Sequence, residues 1–198
     1  MYKRLKKNTK WTILKLGNFN IENIKLEISK YKNEWLIDTS RQELGSVHKE
    51  TQMYRICATD YKWEPGTPIE TIYSNTLHTE SAKLELFEIF KILENHYSGK
   101  IIRCEIIKMN PKSNIGKHTD GGPILHYSRR VHIPIVTQKE IKFTVMDNEM
   151  HMEEGGWYEI NNQLPHSVNN PTDIYRIHMI IDILPDDMLL LRSKNDYK

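Results

Sequence analysis

The period of the hydrophobic pattern changes once along this chain, near residue 100. Before that point apolar positions recur at helical spacing. Ile24, Ile28, Tyr31 and Trp35 fall on one face, and Asn20 stands where a helix N-cap belongs. A second helix is written more clearly. Ala82, Leu86, Ile89, Phe90 and Leu93 form one stripe, Lys83, Glu85, Glu88, Lys91 and Glu94 lie largely elsewhere, and Gly99 is placed to end it. Each stripe is an ordinary one, so both read as packing helices. Between them residues 53–57 read as a short strand, and 61–68, with Trp63, Pro65 and Gly66, as a loop.

From residue 101 the period is two. Residues 101–109, 130–136, 141–146, 157–160 and 175–184 are strand candidates separated by turn clusters. Short strands without intervening helices predict an antiparallel barrel or a double-sheet jelly roll, mainly β with packing α-helices. The expected organisation is one domain over 1–198, with helical support over about 1–100 and a β-barrel core over about 101–184. Side chains alternate faces along a strand. Arg130 and His132 therefore share a face opposite Val131, Ile133 and Ile135. Arg176, His178 and Asp182 share one, with Ile180, opposite Ile177, Met179, Ile181 and Ile183. The arrangement this predicts turns the polar faces inward as a binding barrel and lays the aliphatic faces under the helices.

Composition narrows the function classes. The chain has 198 residues, 38% of them hydrophobic, and a formal net charge of +2, enough for a full core and too balanced for a nucleic-acid binder. The basic start Met1-Tyr2-Lys3-Arg4-Leu5-Lys6-Lys7 has no apolar stretch after it and reads as a solvated terminus rather than a secretory signal. No apolar run approaches the roughly 18–20 residues of a membrane span. Cys57 and Cys104 give neither a zinc nor a disulfide pattern, so a reducing, cytoplasmic setting is the expectation.

His118-Thr119-Asp120, then His166, then Arg176 carry the chemistry. Residues two apart in an extended segment offer an imidazole and a carboxylate to one ion. A second imidazole from His166 completes a 2-His-1-carboxylate facial triad, the ligand set of non-haem Fe(II) with open positions. Both histidines stand beside turn signals, 110–116 and 161–165. Arg176 sits in an apolar strand, where an unpaired charge is costly, so it calls for an assigned anion. Its fork suits the distal carboxylate of an iron-chelating 2-oxoacid. Singly each residue is weak: with nine histidines a chance His-x-Asp match is expected, His166 alone reads as a loop histidine, and Arg176 alone as a salt-bridge partner. The ordered set is what points to a metal centre.

Residues from about 101 to 182 resemble the aspartyl/asparaginyl β-hydroxylase family and the related bacterial proline hydroxylases, Fe(II)- and 2-oxoglutarate-dependent dioxygenases. The matching pieces are Lys117-His118-Thr119-Asp120, Arg129-Arg130-Val131-His132-Ile133-Pro134-Ile135, Trp157, Pro165-His166-Ser167-Val168-Asn169-Asn170 and Arg176-Ile177-His178-Met179-Ile180-Ile181-Asp182. The resemblance implies a cupin-like double-stranded β-helix. It implies His118, Asp120 and His166 as iron ligands, Arg176 as the 2-oxoglutarate anchor, and Arg130 with His132 as further cosubstrate contacts. A buried polar network bracing the strand is the alternative for that last pair. One departure stands out: the animal enzymes have glycine where this chain has Asp120, which places it with the complete-triad members and against a radical halogenase.

The reaction implied is oxidative decarboxylation of 2-oxoglutarate with O2, coupled to hydroxylation of an unactivated C–H bond of an amino acid, free or in a peptide or protein. No side-chain acid or base is required, so Ser167, His126, Tyr127 and His151 are left as supporting groups. The 121–129 loop and the 48–54 segment are candidates for the substrate mouth. A metal-binding cupin with other chemistry is opposed by Arg176 and Arg130, and a non-catalytic binding module by the intact triad.

Overall fold

The computed structural model describes residues 11–43, 46–60 and 62–189, and the basic start of the chain lies outside them. Its strands are β1 (Ile13–Asn18), β2 (Thr51–Thr59), β3 (Thr71–Tyr73), β4 (Gly99–Met109), β5 (Ser113–His118), β6 (Arg129–Val136), β7 (Lys142–Val145), β8 (Asn148–Met150), β9 (Gly156–Ile160), β10 (His166–Asn170) and β11 (Arg176–Pro185). The helices are α1 (Glu22–Ile28), α2 (Ser40–Glu43), α3 (Glu80–Tyr97), α4 (Pro123–Tyr127) and α5 (Asp186–Leu189). A seven-stranded antiparallel sheet runs β1-β9-β6-β11-β4-β2-β3, and a four-stranded one runs β5-β10-β7-β8. This is the mainly β, jelly-roll architecture that the alternation predicts.

The parity argument holds in the packing. Val131, Ile133 and Ile135 of β6 and Ile177, Met179, Ile181 and Ile183 of β11 join Ile24 and Ile28 of α1 and Leu86, Ile89, Phe90 and Leu93 of α3 in one buried cluster. The opposite face of the same strands carries Arg130, His132, Arg176, His178 and Asp182, all buried. Between the sheets, Met109, Ile115, Phe143, Val145 and Val168 form a second cluster behind the polar groups. Burial of a leucine- or isoleucine-sized side chain is worth about 1.5–3 kcal/mol, so the helix-facing layer carries much of the stability while the other layer is free to hold charge.

Local signals set the helix ends, with adjustments. Thr79 caps α3 by accepting from the Ala82 amide at 3.4 Å. Gly99 does not terminate it. Ser98 takes the left-handed conformation (φ 44°), and Gly99 already belongs to β4. Glycine is needed at 99 for another reason: a Cβ there would meet the Leu184 carbonyl oxygen at 2.4 Å. α1 stops at Ile28, and Trp35 reaches the core from a separate 3-10 turn, Glu34–Leu36. Buried Glu27 ties these pieces together, accepting from Tyr31 Oη and the Thr79 amide, both at 2.8 Å.

The N-terminal half is not only helical support. β1, β2 and β3 extend the large sheet on both sides, with β1 pairing β9 (Ile13 opposite Ile160) and β2 pairing β4 (Met53 opposite Ile107). β1 is an edge strand with mostly half-buried positions, so its own sequence lacks clean alternation; the partner defines it. Likewise the turn after β4 is shorter than the 110–116 stretch suggests. Lys112, at φ 50°, closes it, and Ser113–Gly116 already pair as β5. Among the described residues no helix is long and apolar enough to cross a membrane.

Candidate metal centre

Strand register brings the two histidines together. β5 and β10 are antiparallel neighbours, and His166 stands directly opposite His118. Asp120 follows two residues beyond β5, where its amide donates to the Asn162 carbonyl oxygen at 3.1 Å and pins the loop. Donor atoms of His118, Asp120 and His166 all lie within 4.8 Å of one another. The Asp120 Oδ1 is 3.9 Å from His118 Nε2 and 3.7 Å from His166 Nε2. That spacing is compact enough for one ion to draw all three donors onto itself.

The surrounding hydrogen bonds aim these donors. His118 Nδ1 lies 2.8 Å from the Gly116 carbonyl oxygen, and His166 Nδ1 lies 2.9 Å from that of Leu164. A carbonyl only accepts, so each Nδ1 carries the proton and each Nε2 lone pair faces the centre. Burial lowers the His118 pKa. Burial also opposes the charged form of His166, but the Asp120 carboxylate outweighs it and raises the imidazole above its usual value. The same imidazole, against the cost of burial, holds the Asp120 carboxyl below the usual range. Asp120 Oδ2 accepts from Arg130 Nη1, which leaves Oδ1 facing the imidazoles.

Arg130 and Arg176 differ sharply in their partners. Arg130 donates from Nε to Asp182 Oδ1 at 2.9 Å and from Nη2 to Asp182 Oδ2 at 3.0 Å, besides its bond to Asp120. Asp182, fully buried, also accepts from Arg103 Nε at 2.7 Å. Arg176 is 2% exposed, yet no carboxylate lies within ion-pair distance of it among the described residues. Its Nη2 donates to His178 Nδ1 at 2.9 Å, and burial pulls its pKa down to about 9. Beside it, both ring nitrogens of His132 are buried without a hydrogen-bond partner. Burial, with the Arg176 charge, holds the His132 and His178 pKa values well below normal, so both rings are neutral.

All six residues that the sequence singles out, His118, Asp120, Arg130, His132, His166 and Arg176, line one narrow cavity of about 30 Å³. Of the expected mouth residues, His48 stacks edge-on against His118 at 5.0 Å, and Met53, Gly121, Ile124 and Leu125 line an adjoining cavity. His126 and Tyr127 turn to Gln163 and Trp63 instead. Sequence reasoning missed Arg41, Arg103 and Glu105. The last two alternate with Ile102 and Cys104 along β4, a parity that flags them; Arg41 lies in the four-residue helix α2, which has no periodic signal.

The sequence profile of the family described as aspartyl/asparaginyl beta-hydroxylase matches residues 18–185. Among solved structures, the fold is similar to an oxidoreductase of the 2OG-Fe(II) oxygenase family from Burkholderia pseudomallei. That match has 18% identity and a TM-score of 0.50, and covers 68% of this chain and 66%, just under two thirds, of that one. It is also similar to the viral collagen prolyl hydroxylase of Paramecium Bursaria Chlorella virus-1, solved with 2OG, at 8% identity and a TM-score of 0.53, covering 89% of this chain and 97% of that one. The non-heme monooxygenase ThoJ, solved with nickel, matches at 8% identity and a TM-score of 0.51, covering 88% and 74%.

Proposed function

Because the chain belongs to the aspartyl/asparaginyl β-hydroxylase family, we propose that it is an Fe(II)- and 2-oxoglutarate-dependent hydroxylase whose iron is held by His118, Asp120 and His166. The substrate is an amino acid, free or within a peptide. One observation supports this reading above the others: the same cavity is lined by three convergent donors and by a buried guanidinium that meets no carboxylate among the described residues. A dicarboxylic keto acid would suit both, one end chelating the metal and the other neutralising Arg176.

The residues fit the group. Two imidazoles and one carboxylate are the donors a facial triad needs, and each is oriented by a second bond, from Gly116, Leu164 or Arg130. His132, with its orphaned ring nitrogens, offers the cosubstrate carboxylate a hydrogen bond next to Arg176. Arg130 is committed to two carboxylates, so its part is to position Asp120. At about 30 Å³ the space is roughly one water molecule's share, and the cosubstrate enters as surrounding side chains give way. Fe(II) with 2-oxoglutarate and O2 supplies the oxidative decarboxylation and the hydroxylation of an unactivated C–H bond. The protein's work is to hold three donors, bind one carboxylate in a dry site, and keep water from the reacting carbon.

Anaerobic titration of the Fe(II)-loaded protein with 2-oxoglutarate tests this, read by the weak visible charge-transfer band of the chelate. The band is expected with the native chain and absent from His118→Ala and His166→Ala, each of which loses a ligand. Either variant keeping the band and full succinate release sinks the triad assignment.

A further inference from the structure

A second cavity, of about 330 Å³, adjoins the metal centre. That volume lies at the lower end of small-molecule sites, about 300–1,000 Å³. One wall is apolar, with Met53, Ile102, Ile124 and Leu125; the other carries Arg41, Arg55, Arg103 and Glu105. Arg41 lines both this cavity and the one at the metal. It therefore stands where a bound molecule would meet the reacting centre.

The cations on this wall are not equivalent. Arg55 pairs with Asp38 at 3.2 Å and Glu105 at 3.5 Å, and Arg103 pairs with Asp182 at 2.7 Å. Arg41 has no carboxylate within ion-pair distance among the described residues. Its Nε donates to Thr51 Oγ1 at 3.2 Å and its Nη2 to His48 Nδ1 at 3.4 Å, neither of them a carboxylate. A half-buried guanidinium with spare N–H groups and no carboxylate in ion-pair contact among the described residues is suited to receive an anion. In the proposed function Arg176, which lines the metal cavity and not this one, is taken by the cosubstrate. Glu105 is 4% exposed, and its ion-pair contact is the long one to Arg55, which leaves it able to face an ammonium group.

We propose that Arg41 receives the free α-carboxylate of the substrate, which is a free amino acid with a compact apolar side chain, its ammonium facing Glu105 and its side chain lying against Met53, Ile102, Ile124 and Leu125. This rests on the hydroxylase reading and sharpens it, since a residue inside a polypeptide has no α-carboxylate to present.

The test uses the full-length enzyme loaded with Fe(II) and 2-oxoglutarate. Succinate release is measured with each free apolar L-amino acid and with its C-terminal amide, and the binding heat of the same compounds is measured anaerobically. Free acids are expected to stimulate and bind, with amides weaker on the order of 100-fold. Arg41→Leu is expected to raise the apparent constant for the stimulating acid by a similar factor. The chelate band and the 2-oxoglutarate constant should stay within about twofold, and Arg41→Lys, which keeps the charge without the fork, should recover part of the loss. Amides acting as well as acids would overturn the proposal. So would a normal chelate band with no free amino acid binding, or a 2-oxoglutarate constant that moves in place of the amino-acid constant. Loss of the chelate band in the native enzyme would instead sink the hydroxylase reading beneath it.

Discussion

Replacing Arg176 with leucine should pull stability and cosubstrate binding in opposite directions. In the folded chain burial pulls its pKa down to about 9, with no carboxylate in ion-pair contact among the described residues. A buried charge without a partner costs on the order of several kcal/mol. The folded pKa lies below the unfolded one, so above pH 9 the unfolded chain binds more protons. The strain is thus fully present below pH 9 and eases as pH rises through that value. Leucine removes the buried charge at similar bulk. Without cosubstrate the variant should be as stable as the native chain or more so, by roughly 0–4 kcal/mol. With 2-oxoglutarate the order reverses: loss of a charge-assisted bidentate contact costs about 2–5 kcal/mol of binding, a weakening of roughly 30- to several-thousand-fold. Thermal unfolding of the Fe(II) protein with and without 2-oxoglutarate reads both terms. A variant that is destabilised without cosubstrate yet keeps the native 2-oxoglutarate shift refutes the reasoning, since Arg176 would then be a structural cation with a partner.

Asp182→Asn should cost about 3–5 kcal/mol, because the fully buried carboxylate is shared by Arg103 and Arg130, and its loss takes the ion pair from the first and leaves the second with Asp120 alone; urea unfolding checks it, and a cost under about 1 kcal/mol contradicts the network. The same variant should weaken Fe(II) binding, since Arg130 then orients Asp120 less firmly. Glu27 supplies an acid limb. Burial pushes its carboxyl up, but hydrogen bonds from Thr79, the His78 amide and Tyr31 outweigh that and leave it below the ordinary 4.5. Its contribution is therefore complete above pH 4.5 and fades as pH falls through the lower, folded value, so Glu27→Gln should flatten the loss of stability over that interval; an unchanged acid slope argues against it.

Much of this protein is written locally. The strict alternation of β6 and β11 assigned each side chain to the helix-facing or the polar layer before any partner was known, because a strand has a period of two and one buried face. The α3 stripe and the His-x-Asp spacing are equally local, as is the incongruity of an arginine in an apolar strand. Tertiary structure decided the rest. β1 is a strand because β9 pairs with it, and β5 because His166 and its neighbours lie across from it. Arg41 came from a helix too short to announce itself, and its importance lies in what it fails to meet. The clearest case is the pair Arg130 and Arg176, which look alike in sequence, each two residues before a histidine on an inward face. Folding brings Asp182 and Asp120 to the first and, among the described residues, no carboxylate to the second. A side chain's periodicity is a property of its own segment, but a charge acquires its meaning from the opposite charges that distant segments bring within a few ångströms.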